Sequence, residues 1–103
     1  MTGTRAAGVA LLVALPLAAH GDELGRKVFK EIAQPSCALC HTLKAADAAG
    51  TVGPSLDELK PDKTRALEAV RKGVGVMPGF ADKLTPEQIE AVAAFVAEAA
   101  GRE

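Results

Sequence analysis

A chain of 103 residues has room for one small domain and excludes a multidomain assembly. Only Phe29, Phe80 and Phe95 are aromatic, with no Trp or Tyr, so side chains alone would build a thin core that calls for a disulfide, a metal or a cofactor. The net charge of −1, with no Lys/Arg cluster, leaves no electrostatic footprint for nucleic acid.

The chain opens "MTGTRAAGVALLVALPLAAH". One basic residue, Arg5, precedes an uncharged run over residues 6–19. That run is short for a membrane span, which needs about 20 apolar residues, but it fits the apolar region of a signal peptide. Pro16 and the small residues after it put cleavage after Ala18 or Ala19, and an uncleaved N-terminal anchor is the alternative. The expected organisation is a cleaved signal peptide over 1–19 and one folded domain over 20–103, with no stable membrane insertion. Arg5 is the only charged residue before position 20, so the remaining 84 residues carry a net charge of −2. Export leads to an oxidising compartment, where a vicinal dithiol does not stay reduced unaided.

Over residues 22–32, Leu24, Val28, Phe29 and Ile32 form a helical stripe. Pro35 and "SCALCHTL" follow. Residues 44–61, with two Gly and two Pro, read mainly as loop, with a short helical turn near 56–59. A helix is expected over 62–72. Leu67 and Val70 share a face, Arg71 and Lys72 suit the C-terminal dipole, and Gly73 follows as the C′ residue. "VGVMPGF" reads as another loop. The last helix has the clearest start: Thr85 as N-cap, Pro86 at N1 and Gln88 at N3 make a capping box. Ile89, Val92, Phe95, Val96 and Ala99 then line one face. No segment alternates with period two for long enough to be a strand, so the fold class is all-α.

Both cysteines, Cys37 and Cys40, stand with His41 in one Cys-x-x-Cys-His run. A thioredoxin-like dithiol expects a βαβ setting, and no strands are expected. Structural zinc needs four ligands, and the only other histidine is His20. A disulfide across three residues closes too small a loop to add much stability. Covalent haem c attachment accounts for all three residues: each thiol joins one vinyl group, and His41 falls beneath the iron as a ligand. A second axial ligand is then needed. Met77 is the only methionine after Met1, in a Gly-rich loop stiffened by Pro78. Methionine more often fills a core gap. Here Gly73, Gly75 and Gly79 would let the backbone approach a flat ligand, and His/Met ligation is the pairing that raises a cytochrome's potential.

The order of parts resembles a class I c-type cytochrome over residues 22–100. It runs from a first helix with Gly25 and Phe29 through "CALCH", "GPSL" and "GVMPGF" to a last helix with Phe95 and Val96. The resemblance implies a cytochrome c fold, with three to four helices wrapped around one covalently attached haem. It also implies that the terminal helices cross at Gly25 and Phe95, and that the Pro54 carbonyl accepts a hydrogen bond from His41 Nδ1. Expected wall residues are Phe29, Leu39, Val52, Leu56, Leu67, Val70, Phe80 and Val96.

The runs "VGPSLDELKPD" and "VRKGVGVMPGFADKLTPEQIEAVAAFV" are further similar to small cytochrome subunits or partners of bacterial sulfite dehydrogenases. The implied function is a periplasmic one-electron carrier, not an enzyme. It would accept electrons from a dehydrogenase and pass them to a respiratory oxidase or another cytochrome. Lys44, Lys72 and Lys83 are candidates for the rim of the electron port. The second function class is a haem-based sensor or gas-binding protein with a displaceable Met77.

Overall fold

The first described element is a helix, α1 (Leu17–Lys27), in a computed structural model that describes residues 17–102. The expected leader lies outside the described residues as far as residue 16. The helix does not continue with a constant period. Over Val28–Ile32 it widens to a π turn, and the Ala33 N–H donates to the Val28 carbonyl five residues back at 3.0 Å. The wider turn rotates the following residues. Val28, Phe29 and Ala33 therefore share the core, and Ile32, placed on the stripe by a 3.6 period, is only half-buried.

One helical turn, α2 (Cys37–Cys40), follows, then β1 (Thr42–Leu43) and β2 (Ala48–Ala49). These two strands pair antiparallel, Thr42 opposite Ala49 and Leu43 opposite Ala48. This two-residue ladder is the one sheet among the described residues, and the expected all-α architecture lacks it. It is too short to show alternation in the sequence. A 3₁₀ turn over Lys44–Ala46 connects it, closed by Asp47 in the left-handed region, where a short polar side chain is tolerated.

Next come α3 (Leu56–Leu59), where a helical turn is expected, and α4 (Lys63–Lys72). The Asp62 side chain caps α4 by accepting from the Arg65 N–H at 2.8 Å. The last helix, α5 (Pro86–Ala99), has the full capping box: Gln88 N–H donates to Thr85 Oγ1 at 3.1 Å and Thr85 N–H donates to Gln88 Oε1 at 2.9 Å. Two orphan donors are thereby satisfied reciprocally.

The terminal helices pack on each other, with α4 on α5 beside them. Gly25 is buried at the crossing. A Cβ there would stand 2.5 Å from the Ala91 carbonyl oxygen and overlap the Phe95 Cβ. The Phe29 and Phe95 rings meet edge to face, centroids 6.1 Å apart, and the Arg26 guanidinium lies over the Phe95 ring at 5.4 Å. One continuous core results, with Phe29, Leu56, Val70, Phe80 and Val96 buried in it. Leu67 borders the core, whereas Leu39 and Val52 are left outside it, 66% and 71% exposed. Among the described residues no helix is long and apolar enough to cross a membrane.

Candidate haem-attachment site

Ser36 sets up the cysteine turn. Its hydroxyl accepts from the Ala38 N–H at 3.2 Å as N-cap and lies 3.1 Å from both the Phe29 and Lys30 carbonyls, to which it donates. The turn is thus tied to the π segment. The His41 N–H closes it by donating to the Cys37 carbonyl at 3.0 Å. Cys37 and Cys40 sit three apart on this single turn, both thiols free and half-buried. At His41 the backbone becomes extended and leaves the helix. Burial pushes the Cys37 thiol up to about 11, a backbone hydrogen bond opposes this, and Cys40 adds to it. Such a thiol stays protonated near neutral pH, unlike the low-pKa thiolate of a reactive dithiol. Among the described residues no group of three His, Cys, Asp or Glu is placed to hold a metal ion.

The His41 ring is fixed from the 50–57 segment. Its Nδ1 lies 2.7 Å from the Pro54 carbonyl oxygen. A carbonyl can only accept, so Nδ1 carries the proton and Nε2 of the neutral ring keeps its lone pair. Gly53 packs directly on the imidazole. A Cβ at Gly53 would stand 2.8 Å from Cε1 and 3.1 Å from Nδ1. The Gly53 N–H donates to the Cys40 carbonyl at 2.6 Å, which prevents the backbone from backing away. Two thiols on one turn beside an imidazole with a fixed tautomer and an available Nε2 form a donor set that fits covalently attached haem.

Met77 stands apart from this cluster, on the loop between α4 and α5. Val74 and Met77 exchange both backbone hydrogen bonds, at 3.1 and 2.9 Å, with Gly75 at φ +60° starting the two-residue turn between them. Met77 is half-buried and borders the same core as Cys37. Two of the glycines in this loop, Gly73 and Gly79, also have a packing task. A Cβ on Gly73 would lie 2.6 Å from the Met77 carbonyl oxygen, and one on Gly79 would lie 2.8 Å from the Arg71 carbonyl oxygen. Both are needed for the loop to fold back on the end of α4. Of the rim lysines, Lys72 pairs with Glu68 at 3.3 Å and Lys83 lies over the Phe80 ring at 5.6 Å.

Two neighbours of the site have roles that the sequence patterns, the "GPSL" run included, do not specify. Gly53 precedes Pro54 as an ordinary turn glycine, and only its contact with the ring reveals its role. Asp57 reads as a first-turn helix acid, yet its carboxylate accepts from the Lys44 N–H at 2.9 Å and the Gly101 N–H at 2.8 Å. The Lys44 N–H is the main influence holding the Asp57 carboxyl below the usual carboxylate value. Partial burial opposes it, and the Gly101 N–H and the Lys44 charge assist. The folded-state pKa is lowered, so this stabilisation is complete above the unfolded value of about 4 and disappears as pH falls through the folded one. Thermal midpoints should therefore decline less steeply below about pH 4 in Asp57→Ala than in the native protein. Parallel curves in acid would show that ionisation of Asp57 contributes nothing.

The family model described as "Cytochrome C oxidase, cbb3-type, subunit III" matches residues 22–96. Cytochrome c6 of Bryopsis maxima is 36% identical over 74% of this chain and 90% of the relative. Cytochrome c6 of Thermosynechococcus vestitus is 34% identical over 94% of this chain and 88% of the relative. The crystal structure of the c-type cytochrome SorU from Sinorhizobium meliloti is 52% identical, covers 82% of this chain and 95% of SorU, and superposes with a TM-score of 0.79. Proteins of this family carry covalently attached haem c, and Cys37 and Cys40 stand in its Cys-x-x-Cys-His position. The chain therefore belongs to the class I c-type cytochromes and is a haem c electron carrier, not an enzyme.

Proposed function

We propose that Cys37 and Cys40 hold one haem c through thioethers, that His41 Nε2 and the Met77 sulfur take the two axial positions, and that the protein is a periplasmic carrier. The donor in this reading is a dehydrogenase, with sulfite dehydrogenase favoured by the two runs around "GPSL" and "GVMPGF". The acceptor is a respiratory oxidase or another cytochrome. The single observation that carries the reading is the His41 Nδ1–Pro54 hydrogen bond beside the cysteine turn. The group supplies one-electron exchange between ferric and ferrous iron. The chain's contribution is to hold two ligands in one geometry in both states. Pro54 orients the His41 ring and raises its basicity, and the paired Val74–Met77 backbone fixes the methionine. The packed core keeps the inner side of the site dry, which favours the less charged reduced state. Docking for electron transfer needs only a small, transient surface, typically under about 1,200 Å² in total.

The sensor reading requires Met77 to be off the iron or readily displaced. Its half-burial against the core and its hydrogen-bonded loop favour the carrier. Intact mass of the purified protein should show covalent haem and loss of residues 1–18 or 1–19, and a retained Met1 would refute the leader. Carbon monoxide should bind the ferrous native protein slowly and incompletely and the ferrous Met77→Ala protein rapidly. Rapid, complete binding by the native protein would favour the sensor.

A further inference from the structure

Four hydrogen bonds stitch the 50–57 segment to residues 40–44. Thr42 Oγ1 donates to the Gly50 carbonyl at 2.9 Å, Gly53 N–H to the Cys40 carbonyl at 2.6 Å, His41 Nδ1 to the Pro54 carbonyl at 2.7 Å, and Lys44 N–H to Asp57 Oδ2 at 2.9 Å. Pro54 has no N–H of its own, so the position of its carbonyl depends on what holds its neighbours. Upstream, that is the Gly53–Cys40 bond. Downstream, the apolar side of α3 is held by buried Leu56 and the polar side by Asp57. The Asp57–Lys44 bond closes a ring that runs from His41 through Lys44, Asp57 and Ser55 to the Pro54 carbonyl and back to His41 Nδ1. The second carboxylate oxygen, Oδ1, accepts from the Gly101 N–H just beyond α5, so the end of the last helix is pinned to the same ring.

From this geometry we infer that Asp57 is a positioning residue for the His41 imidazole, acting through the Pro54 carbonyl and anchored to the C-terminal end of α5. The inference rests on the reading of His41 as an iron ligand and extends it to a residue outside the Cys-x-x-Cys-His and Gly-Pro motifs. A carboxylate suits the task because one planar group accepts two backbone N–H bonds at once. Without it, Lys44 and Gly101 turn to water, α3 keeps only its apolar anchor, and the Pro54 carbonyl loses its downstream clamp. The His41 Nδ1–H···O bond then weakens. A weaker bond makes the imidazole a poorer donor to ferric iron, which moves the reduction potential upward.

The test compares native holoprotein with Asp57→Ala and with Thr85→Ala. Thr85→Ala removes the α5 cap and lowers stability without touching the ring. Exchange of the His41 Nδ1 proton is followed by NMR in the reduced state, alongside the potential. Asp57→Ala should speed that exchange about tenfold and raise the potential, and Thr85→Ala should change neither at a comparable drop in thermal midpoint. Unchanged exchange and potential in Asp57→Ala would overturn the proposal and leave Asp57 a purely structural bracket. If Asp57→Ala does not accumulate as holoprotein, Asp57→Ser, too short to reach both donors, is read on the same two measurements. The native His41 ring protons separate the two levels of inference. Ring-current displacement with unchanged exchange overturns the role of Asp57 alone, and absence of that displacement overturns the ligand reading and this proposal with it.

Discussion

Replacing Gly25 by alanine should lower the thermal midpoint of the holoprotein by about 10 °C, although alanine is the better helix former. Two effects oppose each other at this buried position. Inside α1 the exchange gains about 1 kcal/mol of helix propensity. Against that, the new Cβ would stand 2.5 Å from the Ala91 carbonyl oxygen and overlap the Phe95 Cβ. Neither neighbour is a flexible side-chain end: one is the backbone of α5 and the other is fixed by its own helix. Relief requires the helices to separate, which costs about 3 kcal/mol at the upper end of ordinary overpacking. The clash therefore wins by about 2 kcal/mol. Separation also spoils the edge-to-face Phe29–Phe95 pair and moves the π segment to which Ser36 ties the cysteine turn. Gly25→Val lacks the propensity gain and should fall further. Circular dichroism melts of both variants check this, and an unchanged midpoint in Gly25→Ala would mean that the crossing has slack.

The second large effect is expected at Gly53. A methyl group there would press on Cε1 and Nδ1 of His41, at 2.8 and 3.1 Å. The Gly53 backbone is held by its bond to the Cys40 carbonyl, so the imidazole has to move. Rotation away from Gly53 takes Nδ1 away from the Pro54 carbonyl. Gly53→Ala should therefore shift the visible spectrum and the potential of the holoprotein, and stability should fall by about 1–3 kcal/mol. This pattern differs from that of Gly25→Ala, which should lower the midpoint with a smaller change in potential because its new Cβ meets α5 and not the His41 ring. A Gly53→Ala protein with native spectrum and native potential would show that the ring has room to turn without losing its hydrogen bond.

Some elements were legible because their causes are local. Thr85, Pro86 and Gln88 announce the start of α5 within four residues, and the structure has each bond of that capping box. Gly73 ends α4 by an equally local cause. The Cys-x-x-Cys-His run marks its chemistry by spacing alone, since one helical turn carries both thiols and delivers the histidine at its end. The Gly25 crossing and the His41–Pro54 bond came from family resemblance, and the structure shows both.

Sequence alone thus determined the helical class, the attachment motif and the order of parts, because each is written in residues only a few positions apart. Tertiary structure decided what depends on distant segments meeting. The π turn at Val28–Ile32 places Ala33 fully in the core and leaves Ile32 at its border, an arrangement that a constant 3.6 period does not give. The pairing of Thr42–Leu43 with Ala48–Ala49 is too short to leave a pattern in the sequence. Gly53 acquires its role only when its backbone reaches the His41 ring, and Asp57 only when Lys44 and Gly101 both bring an N–H to one carboxylate. A glycine or an aspartate carries no sign of such contacts in its local sequence, since the physical cause is the proximity of segments up to 44 residues apart.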